Sequence, residues 1–435
     1  MSLKIKLALY IGLGIVVVFA VLLVTGVIKP FQPETIKGDI VVWDKDPRNN
    51  VLRDLFSQYQ TQSPGIKITY EVKNPETYER DLLDALAAGT GPDIFALDSR
   101  EIAAHQNKIA PLAPDNQLAA EFLAKAPDAV LADLTDDKDS IYGMPWGVDT
   151  LVLYYNKDYL NASNIAEPPK TWDEFREASR RLTRRSPTGA IQRSGASFGL
   201  GRNVAHAADI FSALVMQSGN PIFTETDKRF HFTDTVVVEG QSRAPAASAL
   251  KFYTDFANPN SPYYTWNSSQ PESREAFALG KAAFFIGYAR DLPAILAQNP
   301  HLNFAVAPLP QLVIGDRISY ASYDFFTVSK SSRAPDIAWA ILTSIYQKDI
   351  AKTIIDTLVL PPAHRDLIGS KPPNKILQPW YDQVLSARTW RVPNRETAWR
   401  ILRDMFDASV SGGLQAPEAL NRLQSQLQSI VDRSR

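Results

Sequence analysis

Gly195-Ala-Ser197-Phe-Gly199 has the spacing of a nucleophile elbow, in which a serine on a tight strand-to-helix turn attacks an acyl carbon. That chemistry requires an apolar strand directly before the serine. Here Arg184-Arg-Ser-Pro-Thr-Gly-Ala-Ile-Gln-Arg193 is polar and turn-prone, so no catalytic residue is assigned. The five histidines, at 105, 206, 231, 301 and 364, contain no pair at helical spacing and offer no local metal site. The chain has no cysteine, which removes thiolate nucleophiles, Cys-ligated zinc, iron–sulfur clusters and disulfides together. No P-loop, His-Glu-x-x-His or strand-borne Gly-x-Gly-x-x-Gly occurs, so neither a cofactor nor a metal is expected. Asp136-Asp137-Lys138-Asp139 is the one dense acidic run and reads as a solvated loop.

What remains is stacking and hydrogen bonding. Trp43, Trp146, Trp266, Tyr288, Tyr323, Trp390 and Trp399 fall mostly beside loops or strand ends rather than mid-strand. Sugar rings present C–H faces that stack on aromatic rings, while Asp, Asn and Arg hydrogen-bond their hydroxyls. This mixture therefore suits a carbohydrate ligand.

These side chains must be positioned by an α/β framework. A short apolar run over 39–43 reads as a strand and is followed by the turn Asp44-Lys-Asp-Pro47; a helix follows over 51–59 and an alternating strand over 66–72. A helix over 78–88 ends at Gly89, and a strand over 92–97 carries Asp98 and Ser99 at its carboxyl end. Strand, helix, strand, helix, strand implies an α/β lobe with a largely parallel sheet. Ligands of such sheets sit outside the carboxyl ends of the strands, which makes Trp43, Asp44, Asp98 and Ser99 neighbours in one cleft wall. Tyr142-Gly-Met-Pro-Trp146-Gly-Val-Asp149 then feeds a strand over 150–155, and Thr171 with Glu174 forms a capping box for a helix over 172–183. Further helices are predicted over 207–217, 246–256, 334–346, 375–387, 396–410 and 417–431, with strands over 282–286, 304–310 and 323–328.

With 435 residues, two lobes with separate cores are expected, and 45% hydrophobic residues exclude overall disorder. Forty-six basic against 47 acidic residues leave no cationic excess, so no nucleic-acid partner is expected. Residues 7–28 form an uncharged apolar run long enough to span a bilayer, with Lys4 and Lys6 before it to hold the N-terminus in the cytoplasm. The run lacks the small-residue cleavage site of a signal peptide, so it reads as an uncleaved transmembrane anchor with the body outside the cytoplasmic membrane. Residues 31–37 serve as a tether.

Several segments together resemble the family 1 extracellular solute-binding proteins of ABC importers, the group that includes maltodextrin-binding proteins. They are Ala88-Gly-Thr-Gly-Pro-Asp-Ile-Phe95, Tyr142-Gly-Met-Pro-Trp146 through Leu153-Tyr-Tyr-Asn-Lys157, Pro169-Lys-Thr-Trp-Asp-Glu174, Phe277-Ala-Leu-Gly-Lys-Ala-Ala283 to Gly287, Val306-Ala-Pro-Leu-Pro310, and Val328-Ser-Lys330 with Ala338-Trp339. The resemblance spans nearly all of 38–435. It implies a two-lobed periplasmic-binding-protein fold, type II-like, with three interlobe crossovers. The anchor and tether would occupy 1–37, lobe 1 38–147 plus 322–375, and lobe 2 148–321 plus 376–435. It also implies that Trp43, Asp98, Asp149, Tyr288 and Trp399 stand where the family commonly touches sugar, with Arg202 and Asn203 near another such loop. Asp44, Ser99, Trp146, Trp266 and Tyr323 complete the candidate ligand-binding set.

The expected function is that of a membrane-anchored monomer that captures a sugar or oligosaccharide by hinge closure and delivers it to ABC permease subunits, with no chemistry of its own. Binding of another solute such as a polyamine, an anchored glycan hydrolase, and a sensor feeding a signalling partner stay open. The chain departs from the family pattern in having no lipobox cysteine, and in lacking, at Gly287-Tyr288-Ala289, the tryptophan often found there.

Overall fold

Buried and half-exposed residues alternate along Gly38–Asp44 (β1), with Ile40, Val42 and Asp44 turned inward. The strand pairs in parallel with Ile66–Val72 (β2) over its whole length, Gly38 opposite Ile66 and Asp44 opposite Val72. On its other side it pairs with Ile94–Asp98 (β3), which is buried throughout, as expected of a central strand covered on both faces. The computed structural model describes residues 37–433 except 239, 240, 314, 316 and 393. The proposed anchor over 7–28 lies outside the described residues. Among those described, no helix is long and apolar enough to cross a membrane.

Later strands follow in chain order. They are Met144–Pro145 (β4), Asp149–Thr150 (β5), Val152–Asn156 (β6), Arg184–Arg185 (β7), Ile191–Ala196 (β8) and two small hairpins, Phe223–Thr224 (β9) with Arg229–Phe230 (β10) and Val236–Val238 (β11) with Gln241–Arg243 (β12). Ala282–Gly287 (β13), Phe304–Pro308 (β14), Ser319–Ser322 (β15), Asp324–Val328 (β16) and Ala387–Arg388 (β17) complete the set. The first lobe has a sheet of order β2-β1-β3-β16-β4, the second a sheet of order β14-β6-β13-β8-β7, and a short sheet β17-β15-β5 lies between them.

The first sheet is mixed rather than largely parallel, because β16 enters it from the other lobe and pairs antiparallel with both β3 and β4. Each lobe has its own core. One gathers Phe56, Phe95, Phe325, Phe326 and Trp339, and the other Trp172, Phe175, Phe198, Tyr253, Phe284 and Trp380.

The capping box forms as predicted: Glu174 N–H donates to Thr171 Oγ1 at 3.2 Å, opening the helix Trp172–Leu182. Two predicted strands differ at their bounds. The 150–155 stretch breaks at Leu151, whose N–H donates to the Tyr320 carbonyl at 3.1 Å, and 323–328 begins one residue late because Tyr323 is the bend between β15 and β16. Residues 375–387 are not one helix. A 3-10 turn Lys375–Leu377, the helix Gln378–Tyr381 and a second turn Val384–Ser386 lead into β17. The chain must straighten there to pair Ala387 with Ser319 in the interlobe sheet.

The Gly-x-Ser-x-Gly spacing has a packing origin. The segment before Ser197 is a strand after all, β8, inserted beside β13. Any Cβ at Gly195 would lie 1.8 Å from the Ser179 carbonyl oxygen, and Gly199 has φ +100°, a conformation that L side chains rarely adopt. Ser197 itself is buried and donates to the Phe284 carbonyl at 3.2 Å.

Candidate functional site

Asp98 ends β3 and caps the 3-10 turn Ser99–Glu101, accepting the Arg100 backbone N–H at 3.0 Å while Glu101 accepts the Asp98 N–H at 3.1 Å. The turn aims Arg100 across the cleft. Its guanidinium grips Asp98 in a two-point pair, Nη2 to Oδ2 at 2.6 Å and Nε to Oδ1 at 2.7 Å. Its remaining arm reaches Asp209 Oδ2 at 3.1 Å. Asp209 lies in the first turn of Ala207–Gln217, a helix of the second lobe that is otherwise uncharged. It also accepts the Tyr288 hydroxyl at 2.8 Å and the Trp399 indole N–H at 2.7 Å. A single carboxylate thus collects donors from both lobes.

Burial alone would raise the Asp98 carboxyl, but Arg100, Arg395 at 3.3 Å and Lys45 hold it well below the usual carboxylate range. Beside this centre Trp399 stacks on Trp390 with ring centroids 5.0 Å apart, and Trp390 Nε1 donates to Ser212 Oγ at 2.9 Å. Asp133, on the first-lobe helix Asp128–Leu134, accepts the Tyr323 hydroxyl at 2.7 Å and the Thr389 hydroxyl at 2.6 Å. Burial pushes its carboxyl up, and Arg391 opposes the shift. The Tyr320 hydroxyl is buried with no hydrogen-bond partner among the described residues, and the charges acting on it are Asp209, Arg100, Asp133 and Asp98.

Two cavities flank this centre. One, of about 650 Å³, is lined by Asp133, Thr389, Trp390 and Arg391 and by Glu225 and Lys228 of the second lobe. Its volume falls in the range of small-molecule sites, and its walls are mostly polar, with Trp390 and Phe223 as the aromatic members. The other, of about 220 Å³, lies beside the short sheet of β5 and β15 and is lined by Arg48, Trp146, Asp149, Arg290, Ser322 and Tyr323 among others. Asp149 accepts the Ala289 and Arg290 N–H groups at 2.8 and 3.0 Å. Burial pushes its carboxyl up to about 6, against the pull of Arg290 and those two bonds.

The predicted residues divide between this cleft and elsewhere. Asp98, Tyr288 and Trp399 meet around Arg100 and Asp209. Trp146, Asp149 and Tyr323 line the smaller cavity, and Ser99 adjoins them by donating its N–H to the Tyr323 carbonyl at 2.8 Å. Trp43 lines neither cavity and packs under Lys73, whose ammonium lies 3.9 Å from the ring centre. Asp44 is buried at the strand end, accepting from Asn49 Nδ2 at 2.9 Å, the Tyr70 hydroxyl and two backbone N–H groups. Trp266 is in the second core and donates to Asn203 Oδ1 at 2.9 Å; Asn203 in turn bonds the carbonyls of Asn267 and Gln270. Arg202 pairs with Asp407 at the surface.

Arg100, Asp133, Asp209 and Arg290 escaped the sequence reading. One signal was available for Asp209, a lone charge in an otherwise uncharged, apolar helix. Nothing local marked its partner.

A profile of the family described as bacterial extracellular solute-binding protein matches residues 45–352. The galactooligosaccharide-binding protein of Bacillus subtilis (strain 168) is 23% identical over 333 residues, 76% of this chain and 74% of its own length. Among solved structures, the cyclic alpha-maltosyl-1,6-maltose binding protein of Arthrobacter globiformis superposes with a TM-score of 0.76 at 16% identity, covering 92% of this chain and all of that one. The sugar-binding protein MalE of Xanthomonas citri gives 0.74 at 20% identity, covering 91% and 98%. At these identities the structural likeness speaks for the fold.

Proposed function

The chain belongs to the bacterial extracellular solute-binding proteins, and from that premise we propose that it captures a sugar or oligosaccharide between its lobes and delivers it to an ABC permease. The observation that carries this reading is the cleft centre: Asp209 and Asp133 as acceptors, Trp390 and Trp399 stacked beside them, and the unpartnered Tyr320 hydroxyl buried among them. Carboxylates suit sugar hydroxyls and indole faces suit pyranose C–H edges. Chain crossovers near 147/148, 321/322 and 375/376 form the hinge, with β5, β15 and β17 as its hydrogen-bonded strap. Closure is driven by ligand contacts made to both lobes at once, so the closed form is the one selected by binding.

Of the sequence-predicted set, Asp98, Tyr288 and Trp399 act at the cleft centre and Trp146, Asp149 and Tyr323 at its hinge end. The body works outside the cytoplasmic membrane as a monomer, held by residues 7–28. The cleft performs no bond-breaking step. Asp209 and Asp133 accept from different side chains and share no partner, so they are not set as an acid and base pair.

Thermal unfolding of the full-length chain in detergent, across a panel of neutral mono- and oligosaccharides and polyamines, tests this reading. A ligand at 100 times its Kd adds about 2.7 kcal/mol of stability. A shift with one sugar class that Trp399→Ala abolishes and Arg202→Ala leaves intact is expected. Shifts with polyamines alone, or release of new reducing ends from a glycan, would overturn it.

A further inference from the structure

Arg290 differs from the other arginines that line the cleft. Arg48 pairs with Asp46, Arg100 with Asp98 and Asp209, and Arg391 with Asp133, whereas Arg290 makes no ion pair with any described carboxylate. Two of its five N–H donors are engaged, Nη1 with the Ser322 carbonyl at 3.3 Å and Nη2 with Ser322 Oγ at 3.1 Å. Its guanidinium lies 4.0 Å from the Tyr288 ring centre, which fixes its plane without supplying a countercharge. Asp149 is the strongest opposing charge, yet its two oxygens are taken by the Ala289 and Arg290 backbone N–H groups.

Arg290 lines a cavity of about 220 Å³. Arg48 lines the same cavity from the first lobe, close enough for the two guanidiniums to repel. Asp324 of this wall is occupied by Lys45 at 3.2 Å. Arg290 is thus the one cation of the described lining without an ion pair, and Asp149 beside it is bonded to backbone N–H groups rather than to a guanidinium N–H. A planar guanidinium with free N–H groups matches a carboxylate or phosphate in a two-point pair.

We propose that the hinge-side cavity is an anion subsite, and that the saccharide taken up carries a carboxylate or phosphate group that pairs with Arg290. This rests on the carbohydrate reading above and specifies its substrate class. Trp146 and Tyr323 line the same cavity and supply the faces against which the acidic ring packs. Arg48 approaches from the opposite lobe, so an acidic ring draws the lobes together where a neutral one does not.

Calorimetric titration of the full-length chain in detergent with matched pairs tests this. The pairs are glucuronic acid against glucose, a galacturonic acid disaccharide against its galactose counterpart, and glucose 6-phosphate against glucose, at low and high salt. The expected result is binding at least tenfold tighter for the acidic member, falling with salt, and equalised with the neutral member in Arg290→Gln but kept in part in Arg290→Lys. The carboxylate and phosphate arms distinguish the two anions. Equal or tighter binding of neutral sugars, lost in Trp399→Ala, would overturn the subsite and leave the carbohydrate reading standing. Silence to every saccharide would overturn both. The wild-type comparison needs no variant, so a misfolded Arg290→Gln does not blunt the test.

Discussion

The two ends of the cleft handle buried charge in opposite ways. At the centre, Arg100 is saturated by Asp98 and Asp209, and both carboxylates are backed by further donors. At the hinge end, Arg290 has only Ser322 and an aromatic face, and the nearest acid is bonded to backbone. The saturated ion pairs at the centre tie the lobes together and position the groups around them, while the unpaired Arg290 keeps donors free for a charged group of the ligand. The same contrast shows in proton affinity. The Asp98 carboxyl is held down and the Asp149 carboxyl is pushed up.

The largest expected effect breaks the saturated centre. Arg100→Met leaves Asp98 and Asp209 without the guanidinium that joins them, and losing one partner of a buried pair costs about 3–5 kcal/mol. Urea unfolding would read the loss, and adding Asp209→Asn should return part of it; a fully additive pair of losses would mean that Arg100 and Asp209 do not cooperate.

Next in size is pH, where the two ends carry opposite signs. Asp149 binds its proton more tightly folded, about 6, than unfolded, 3.8. Stability is therefore highest from this group at low pH and falls as pH rises through that interval, by about 3 kcal/mol once above 6. Asp98 runs the other way, contributing above the ordinary aspartate value and losing its contribution as pH falls below it. Chemical denaturation from pH 4 to 7.5 should show the decline, and Asp149→Asn should flatten it. A wild-type profile that rises across that interval would remove the assigned role of Asp149.

Trp399→Phe keeps the stack on Trp390 but removes the N–H donated to Asp209. Hydrogen bonds to charged groups contribute about 1.5–3 kcal/mol, and the loss should appear in stability and in sugar-induced shifts together. The smallest effect is at the surface. Arg202→Ala removes an ion pair whose arginine is 64% exposed, and a change of about 0–1 kcal/mol with unaltered ligand response is expected. A large change in ligand response there would move the binding surface away from the cleft.

Local pattern carried most of the secondary structure. The strand over 66–72, the helix over 207–217 and the capping box at Thr171 and Glu174 read correctly because alternation, helical spacing and cap chemistry act over a few residues. Breaks at Leu151 and 382–387 were not legible, since each is imposed by pairing with β15, a partner distant in sequence, and Tyr323 falls at the junction of β15 and β16. The strand-end rule led to Asp98, which the structure brings beside Arg100, whereas Asp149 came only from the family resemblance. Burial of Trp266 in the second core was not legible, because a tryptophan beside a loop has the same local signature whether it faces a cleft or a core.

The sequence by itself determined two α/β lobes, the family resemblance and a chain without thiol or local metal chemistry, all properties of composition and short-range spacing. Tertiary structure alone decided which charges meet. Arg100 and Asp209 are 109 residues apart, and Asp149 and Ala289 are 140 apart. Such pairs arise from how two folded lobes and their strap bring strand ends and helix starts together, and burial then makes each pairing or its absence energetically large.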